Sequence, residues 1–179
     1  LNRLFLVVCF GLGAATAVLV GKAIGEGQKH QDVLELSQVL LRFSTLIGAG
    51  IAVLSLLLIP TLFVPVLFPM FKLYGESIAI ATALAVTAFA GIPLHAYAIS
   101  AVTGVLRAGG DVTYATVLDL LPQWVICLPV TALCALVLKS GYWSIAIAIQ
   151  LECIVKVPFC IRRVRGGTWI HDVTRGQRT

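Results

Sequence analysis

The chain has 179 residues, 59% of them hydrophobic and 12% charged, whereas a soluble domain carries roughly 25% charge. So little charge cannot solvate a compact surface. Because the apolar residues also fall into long blocks, a disordered tail and a fold around one aqueous core are both excluded, and an all-α polytopic membrane protein is predicted. The net charge of +5 gathers near the C-terminus, where Arg162, Arg163, Arg165, Arg175 and Arg178 face only Asp172. It lacks the alternation of basic and aromatic residues that a nucleic-acid platform uses, so it reads as an orientation signal beside anionic headgroups, with no nucleic-acid partner.

The first apolar run, residues 4–24, is rich in small residues, and Gly13, Ala17, Gly21 and Gly25 put one of them on each helical turn, a face that a neighbouring helix could approach closely in lipid. Arg3 with the sequence Ala15, Thr16, Ala17 also looks like a secretory signal with its cleavage site, but the run stays apolar beyond Ala17. A polar connector over 25–37 leads to a second run over 39–64. Pro60, Pro65 and Pro69 then cluster with Lys72 and Gly75 in a connector. The third run, 77–106, has Pro93 near its middle, which predicts a kink there. Arg107, Ala108, Gly109, Gly110 and Asp111 make a tight hairpin turn: the glycines suit a helix C-cap, Asp111 suits the next N-cap, and Arg107 complements the preceding helix dipole. The fourth run, 112–138, ends at a turn over 139–141, and the fifth, 142–161, precedes a basic tail over 162–179.

These runs predict five membrane crossings. Lys22, Lys29, Arg42, Arg107 and the tail arginines fall on one side, against Arg3, Lys72 and Lys139 on the other. The C-terminus is therefore expected in the cytoplasm and the N-terminus outside, in a plasma (inner) membrane. Starting outside, with Leu1 in place of Met, predicts that at least one helix precedes this segment.

No soluble-enzyme motif survives inspection, and Cys9, Cys127, Cys134, Cys153 and Cys160 lie in apolar runs without the spacing of a zinc site, so no metal or cofactor is expected. Ionisable residues inside the runs are costly there and therefore informative. Asp119 lies about 10 Å into the fourth helix, and Glu152 and Lys156 about 14 and 8 Å into the fifth. Glu152 and Lys156 are four apart, and Asp119 can form an ion pair with Lys156 across the antiparallel interface, either locking two helices or relaying a proton or cation. His95, about 18 Å from Arg107 near the midplane, is either a coupling residue or a hydrogen-bonded packing residue. The coupling-ion candidates are thus His95, Asp119 and Glu152. Tyr97, Ser100, Thr103 and Gln123 are candidates for lining a substrate cavity.

Three stretches in order carry a resemblance: a small-residue helix ending Val20, Gly21, Lys22, Ala23, Ile24, Gly25, a proline-bearing helix ending in the turn Arg107, Ala108, Gly109, Gly110, Asp111, and a final hairpin with a basic tail. Together they resemble the C-terminal lobe of the multidrug and toxic compound extrusion (MATE) transporters. The resemblance implies the last five helices of a two-lobe, twelve-helix antiporter whose N-terminal lobe lies elsewhere in the same chain. It would export organic cations, drugs or other amphipathic compounds in exchange for protons or sodium by alternating access. Some members carry a cation-binding aspartate about eleven residues before the arginine of the turn; this chain has Ala96 there. The alternatives are a lipid-linked saccharide flippase of the same superfamily and an intramembrane enzyme using Asp119 and Glu152 as an acid pair.

Overall fold

The computed structural model describes residues 2–70, 75–134 and 142–170, and these are all helical apart from short links. The connector around Lys72, the turn over 139–141 and the tail from 171 onward, with Arg175 and Arg178, lie outside the described residues. Among the described residues, six α-helices of eight residues or more follow one another: α1 (Asn2–Gly25), α2 (His30–Leu58), α3 (Glu76–Ala90), α4 (Ile92–Ile99), α5 (Val112–Leu121) and α6 (Tyr142–Gly166). Wider, π-type turns extend α2 over Ile59–Leu67, α4 over Ser100–Leu106 and α5 over Pro122–Cys127. Each has a local cause. Pro60 and Pro122 bring no N–H to the ladder, and the Thr103 hydroxyl donates to the Ile99 carbonyl at 2.6 Å, competing for the acceptor an α-helical Thr103 N–H would use.

Three of these helical stretches are long and apolar enough to cross a membrane, and the pair Ser77–Ala90 and Ile92–Leu106, bent by 44°, makes a fourth if it is one span. The bend sits at Gly91 and not at Pro93, where the sequence predicts it. Pro93 instead occupies the first turn of α4, where its missing N–H has no helical partner to lose. Where the polarity of 25–37 predicts a connector, α2 already starts at His30. Asp32 and Glu35 are exposed while Val33 and Ser37 are buried, so this polar stretch is an amphipathic first helical segment with an acid near its positive end. The stretch His30–Val66 has 37 residues, about 55 Å of helix against roughly 30 Å of hydrocarbon.

The packing face of α1 is Cys9, Gly13, Thr16, Val20 and Ala23, not the stripe Gly13, Ala17, Gly21, Gly25. A strict spacing of four drifts about 40° per step around an α-helix, which carries Gly21 and Gly25 off the interface; a Cβ on either would meet nothing. Gly13 itself is needed, since a Cβ there would lie 2.8 Å from Thr103 Oγ1, and one on Gly104 would lie 2.8 Å from Thr16 Cβ. The buried face of α2 repeats every eleven residues: Val33, Ser44 and Ser55; Ser37, Gly48 and Ile59; Leu41, Ala52 and Phe63. Eleven residues make about three turns, so this face stays in line along the whole helix. Its small members let α4 approach, with Gly48 against Ala96 and Pro93. Large apolar side chains such as Val18, Leu46 and Trp124 point outward, as a lipid-facing surface requires.

Two cores stack along the bundle. One joins Cys9, Ala52, Phe63, Phe89 and Ile92. The other joins Val20, Val33, Leu106, Val164 and Trp169.

Candidate functional site

An antiparallel arrangement of α5 against α6 brings Asp119 opposite Lys156, and the end of the α4 extension delivers Arg107 to the same place. Lys156 Nζ donates to Asp119 Oδ1 at 3.0 Å and to Glu152 Oε1 at 2.8 Å. Arg107 Nη2 donates to the other oxygen of Asp119 at 3.0 Å. The Lys156 side chain is 8% exposed, while Asp119 and Glu152 are 34% and 25% exposed. The ammonium is thus the innermost charge and the carboxylates flank it. Two cations and two anions cancel, so the quartet is neutral as a unit, whereas removing any one member leaves a charge in surroundings that solvate it poorly.

Asp119, Glu152 and Lys156 line a cavity of about 280 Å³ whose remaining wall includes Thr103, His95 and, from α1, Leu6 and Phe10. His95 Nδ1 lies 3.1 Å from the Gly91 carbonyl oxygen. A carbonyl can only accept, so this bond places the proton on Nδ1 and leaves Nε2 as the basic nitrogen. The same imidazole lines a second cavity of about 390 Å³, mostly apolar and without a charged side chain in its wall, with Phe63, Thr87, Phe89 and Gln150. His95 is therefore the wall shared by a charged cavity and an apolar one. Gln150 Nε2 donates to the Thr87 carbonyl at 2.5 Å, so α6 supplies a hydrogen bond at the break between α3 and α4.

Of the residues singled out in the sequence, the structure brings His95, Thr103, Asp119, Glu152 and Lys156 together. It does not bring Tyr97, Ser100 or Gln123 to this place. Tyr97 packs against the core around Val164 and Trp169. Ser100 is fully buried with its hydroxyl unpaired among the described residues. Gln123 lines a separate recess with Cys127 and Thr131. Cys9, Cys153 and Cys160 are buried free thiols.

The turn differs from expectation in how its charges are used. Arg107 reaches Asp119 across the hairpin, while the Asp111 side chain makes no cap bond to α5 and accepts from Arg163 Nε at 2.8 Å. Arg163 also stacks 4.6 Å over the Tyr114 ring. A guanidinium with a planar partner above and a carboxylate at its edge is held better than a backbone N–H could hold that acid. Gly110 has φ of 90°, which suits glycine at a helix end. Gly109 is demanded by contact instead: a Cβ there would run into the Trp169 ring. Trp169, fully buried, donates from Nε1 to the Val164 carbonyl at 3.0 Å.

Trp169 and Gln150 escaped the sequence reading. A lone tryptophan just after the Gly166 and Gly167 pair, and an amide side chain inside an apolar run, are the signals that mark them.

No curated protein and no solved structure gives a significant match to the chain. The family model MatE matches residues 1–133, which takes in α1 to α5 with His95, Arg107 and Asp119 and leaves Glu152 and Lys156 on α6 beyond the matched part. That match covers most of an all-helical chain with membrane-spanning segments, and the chain belongs to the MATE family of membrane transporters.

Proposed function

We propose that the chain is the C-terminal lobe of a cation-coupled antiporter that exports organic cations, drugs or other amphipathic compounds by alternating access. The observation that carries this reading is the shared position of His95, between a neutral charged cluster on one side and an apolar cavity on the other. An apolar cavity with few polar groups suits an amphipathic substrate. A histidine whose Nε2 is the open nitrogen can take up a proton on one side of the membrane and release it on the other. Protonation adds one positive charge beside a neutral quartet, which disfavours a cationic substrate in the adjoining cavity. Proton and substrate then alternate, as exchange requires.

The flippase reading needs cationic groups facing a pyrophosphate. Arg107 and Lys156 are both already held by carboxylates, which favours a cationic or amphipathic cargo instead. An acid pair for hydrolysis is disfavoured by the same contacts, because the oxygens of Asp119 and Glu152 are already engaged by Arg107 and Lys156.

We place the protein in the plasma (inner) membrane with five crossings in this segment, α6 being the fifth at 25 residues, and with the C-terminal arginines in the cytoplasm. The test is efflux of a fluorescent organic cation from proteoliposomes holding the full chain, driven by an imposed pH gradient. Gradient-dependent efflux is expected. Transport of a lipid-linked saccharide without cation efflux would overturn the reading.

A further inference from the structure

We propose that the Lys156 ammonium occupies a monovalent-cation seat between Asp119 and Glu152, and that this tethered cation is the residue that shuts free sodium out of the cavity. The inference rests on reading the cavity as the ion-handling site of a transporter.

The geometry is that of a cation held by two acids. One oxygen of Asp119 lies 3.0 Å from Nζ and one oxygen of Glu152 lies 2.8 Å from it, so the two oxygens are within about 6 Å of each other and converge on one point. That point is on the wall of a cavity, and Lys156 is the least exposed member of the group. Lys156 is held by two carboxylates, one from α5 and one from its own helix, and Arg107 satisfies the far oxygen of Asp119. The arrangement therefore presents carboxylate oxygens to a single interior position, the donor type that alkali cations take.

Charge decides what can enter. With Lys156 in place, Arg107, Asp119, Glu152 and Lys156 sum to zero, and a free cation would be a surplus charge in a poorly solvating site. Without the ammonium the remaining three carry one net negative charge around a vacated position lined by two carboxylate oxygens and open to the cavity. Sodium, small and oxygen-seeking, restores neutrality there. The trimethylammonium of choline is too bulky for that position and has no N–H to donate. Sodium selectivity is thus set by one side chain, with a proton on His95 left as the coupling ion that the intact cavity accepts.

The experiment uses the purified full chain in detergent and compares its unfolding temperature in sodium chloride with that in choline chloride at equal ionic strength. For the parent and for Lys156→Arg no difference between the salts is expected. For Lys156→Met we expect a rise of roughly 2–4 °C specific to sodium, and for Lys156→Met combined with Glu152→Gln, whose Asp119 and Arg107 already balance, no rise. Should Lys156→Met fail to yield folded protein in choline, its recovery when membranes are prepared and solubilised in sodium is the same result in another form. Equal behaviour of Lys156→Met in both salts, folded or not, overturns the proposal, as does a sodium-specific shift in the parent. Efflux measured on the parent separates this from the transporter reading, since a parent that moves no organic cation overturns that reading whatever sodium does to Lys156→Met.

Discussion

The imidazole of His95 has only one nitrogen free to change its charge, because Nδ1 is committed to the Gly91 carbonyl. That makes a substitution specific. His95→Gln can keep the bond to Gly91 through its amide but carries no proton, so in the full chain we expect substrate binding within about twofold of the parent and a flattened dependence of efflux on the imposed pH gradient, read in proteoliposomes. His95→Phe, which fills the shared wall without any polar atom, should lower binding as well. Unchanged gradient dependence in His95→Gln would make His95 a packing residue. Ser100 invites the opposite kind of prediction: its buried hydroxyl has no partner among the described residues, so Ser100→Ala should leave thermal stability unchanged or raise it by up to about 1 kcal/mol. At this scale much was legible. His95, Asp119, Glu152 and Lys156 stood out because an ionisable residue in an apolar run must have a reason. Arg107 was assigned to its own helix dipole, since a sequence does not show that a guanidinium at a turn can reach twelve residues onward to Asp119. Tyr97 and Ser100 followed His95 in the chain but not around the helix axis.

Between elements, the cluster on α5 and α6 and the turn before α5 are two separate fastenings with different chemistry. In the cluster, Lys156→Met leaves one negative charge unmatched and should cost about 3–5 kcal/mol in sodium-free buffer. The structure also says which second change repairs it. Removing Glu152 with Lys156 leaves Arg107 and Asp119 as an intact pair, whereas removing Asp119 with Lys156 strands Arg107 and Glu152 apart. Glu152→Gln should therefore recover more of the loss than Asp119→Asn does, a ranking that chemical or thermal unfolding of the double variants can read. A sequence pairing of Asp119 with Lys156 alone favours the other double. At the turn, Gly109→Ala should cost about 1–3 kcal/mol through collision with Trp169 and Gly110→Ala about 1–2 kcal/mol through its left-handed backbone. Only the first should couple to Trp169→Ala, giving a double variant less damaged than the sum. Spacing alone could separate neither these two glycines nor the faces of α1, because small residues at every fourth position look like a stripe on paper and wind off the interface in space.

Among the described residues, six Lys and Arg residues gather at one end of the molecule, for a reason visible in its links. Gly167, beyond α6, sits beside His30 at the start of α2, and Trp169 covers Gly109 in the turn between α4 and α5. The connection 26–29, the turn 107–111 and residues 167–170 thus meet at the same end. Lys22, Lys29, Arg107, Arg162, Arg163 and Arg165 belong to that end by their place in the chain. The succession of apolar helical runs was readable without coordinates because lipid imposes it. What the order could not show is that this end has a packed cap of its own, with Val33, Leu106, Val164 and Trp169 in one core. Long-range contacts of that kind leave no periodic trace. Because α2 is longer than the hydrocarbon is thick, its first turns and this cap are expected on the cytoplasmic side, clear of lipid. In a cysteine-free background, single cysteines at Gln28 and Thr168, both exposed, should react with an impermeant maleimide only from the cytoplasmic side, while one at Ser77, exposed at the start of α3, should react only from the opposite side. Trp169→Ala loosens the cap without altering any charge, so it should raise the labelling rate at Thr168 and leave all three sides unchanged. Reaction of Gln28 and Thr168 from opposite sides would break both the five-crossing map and the cap.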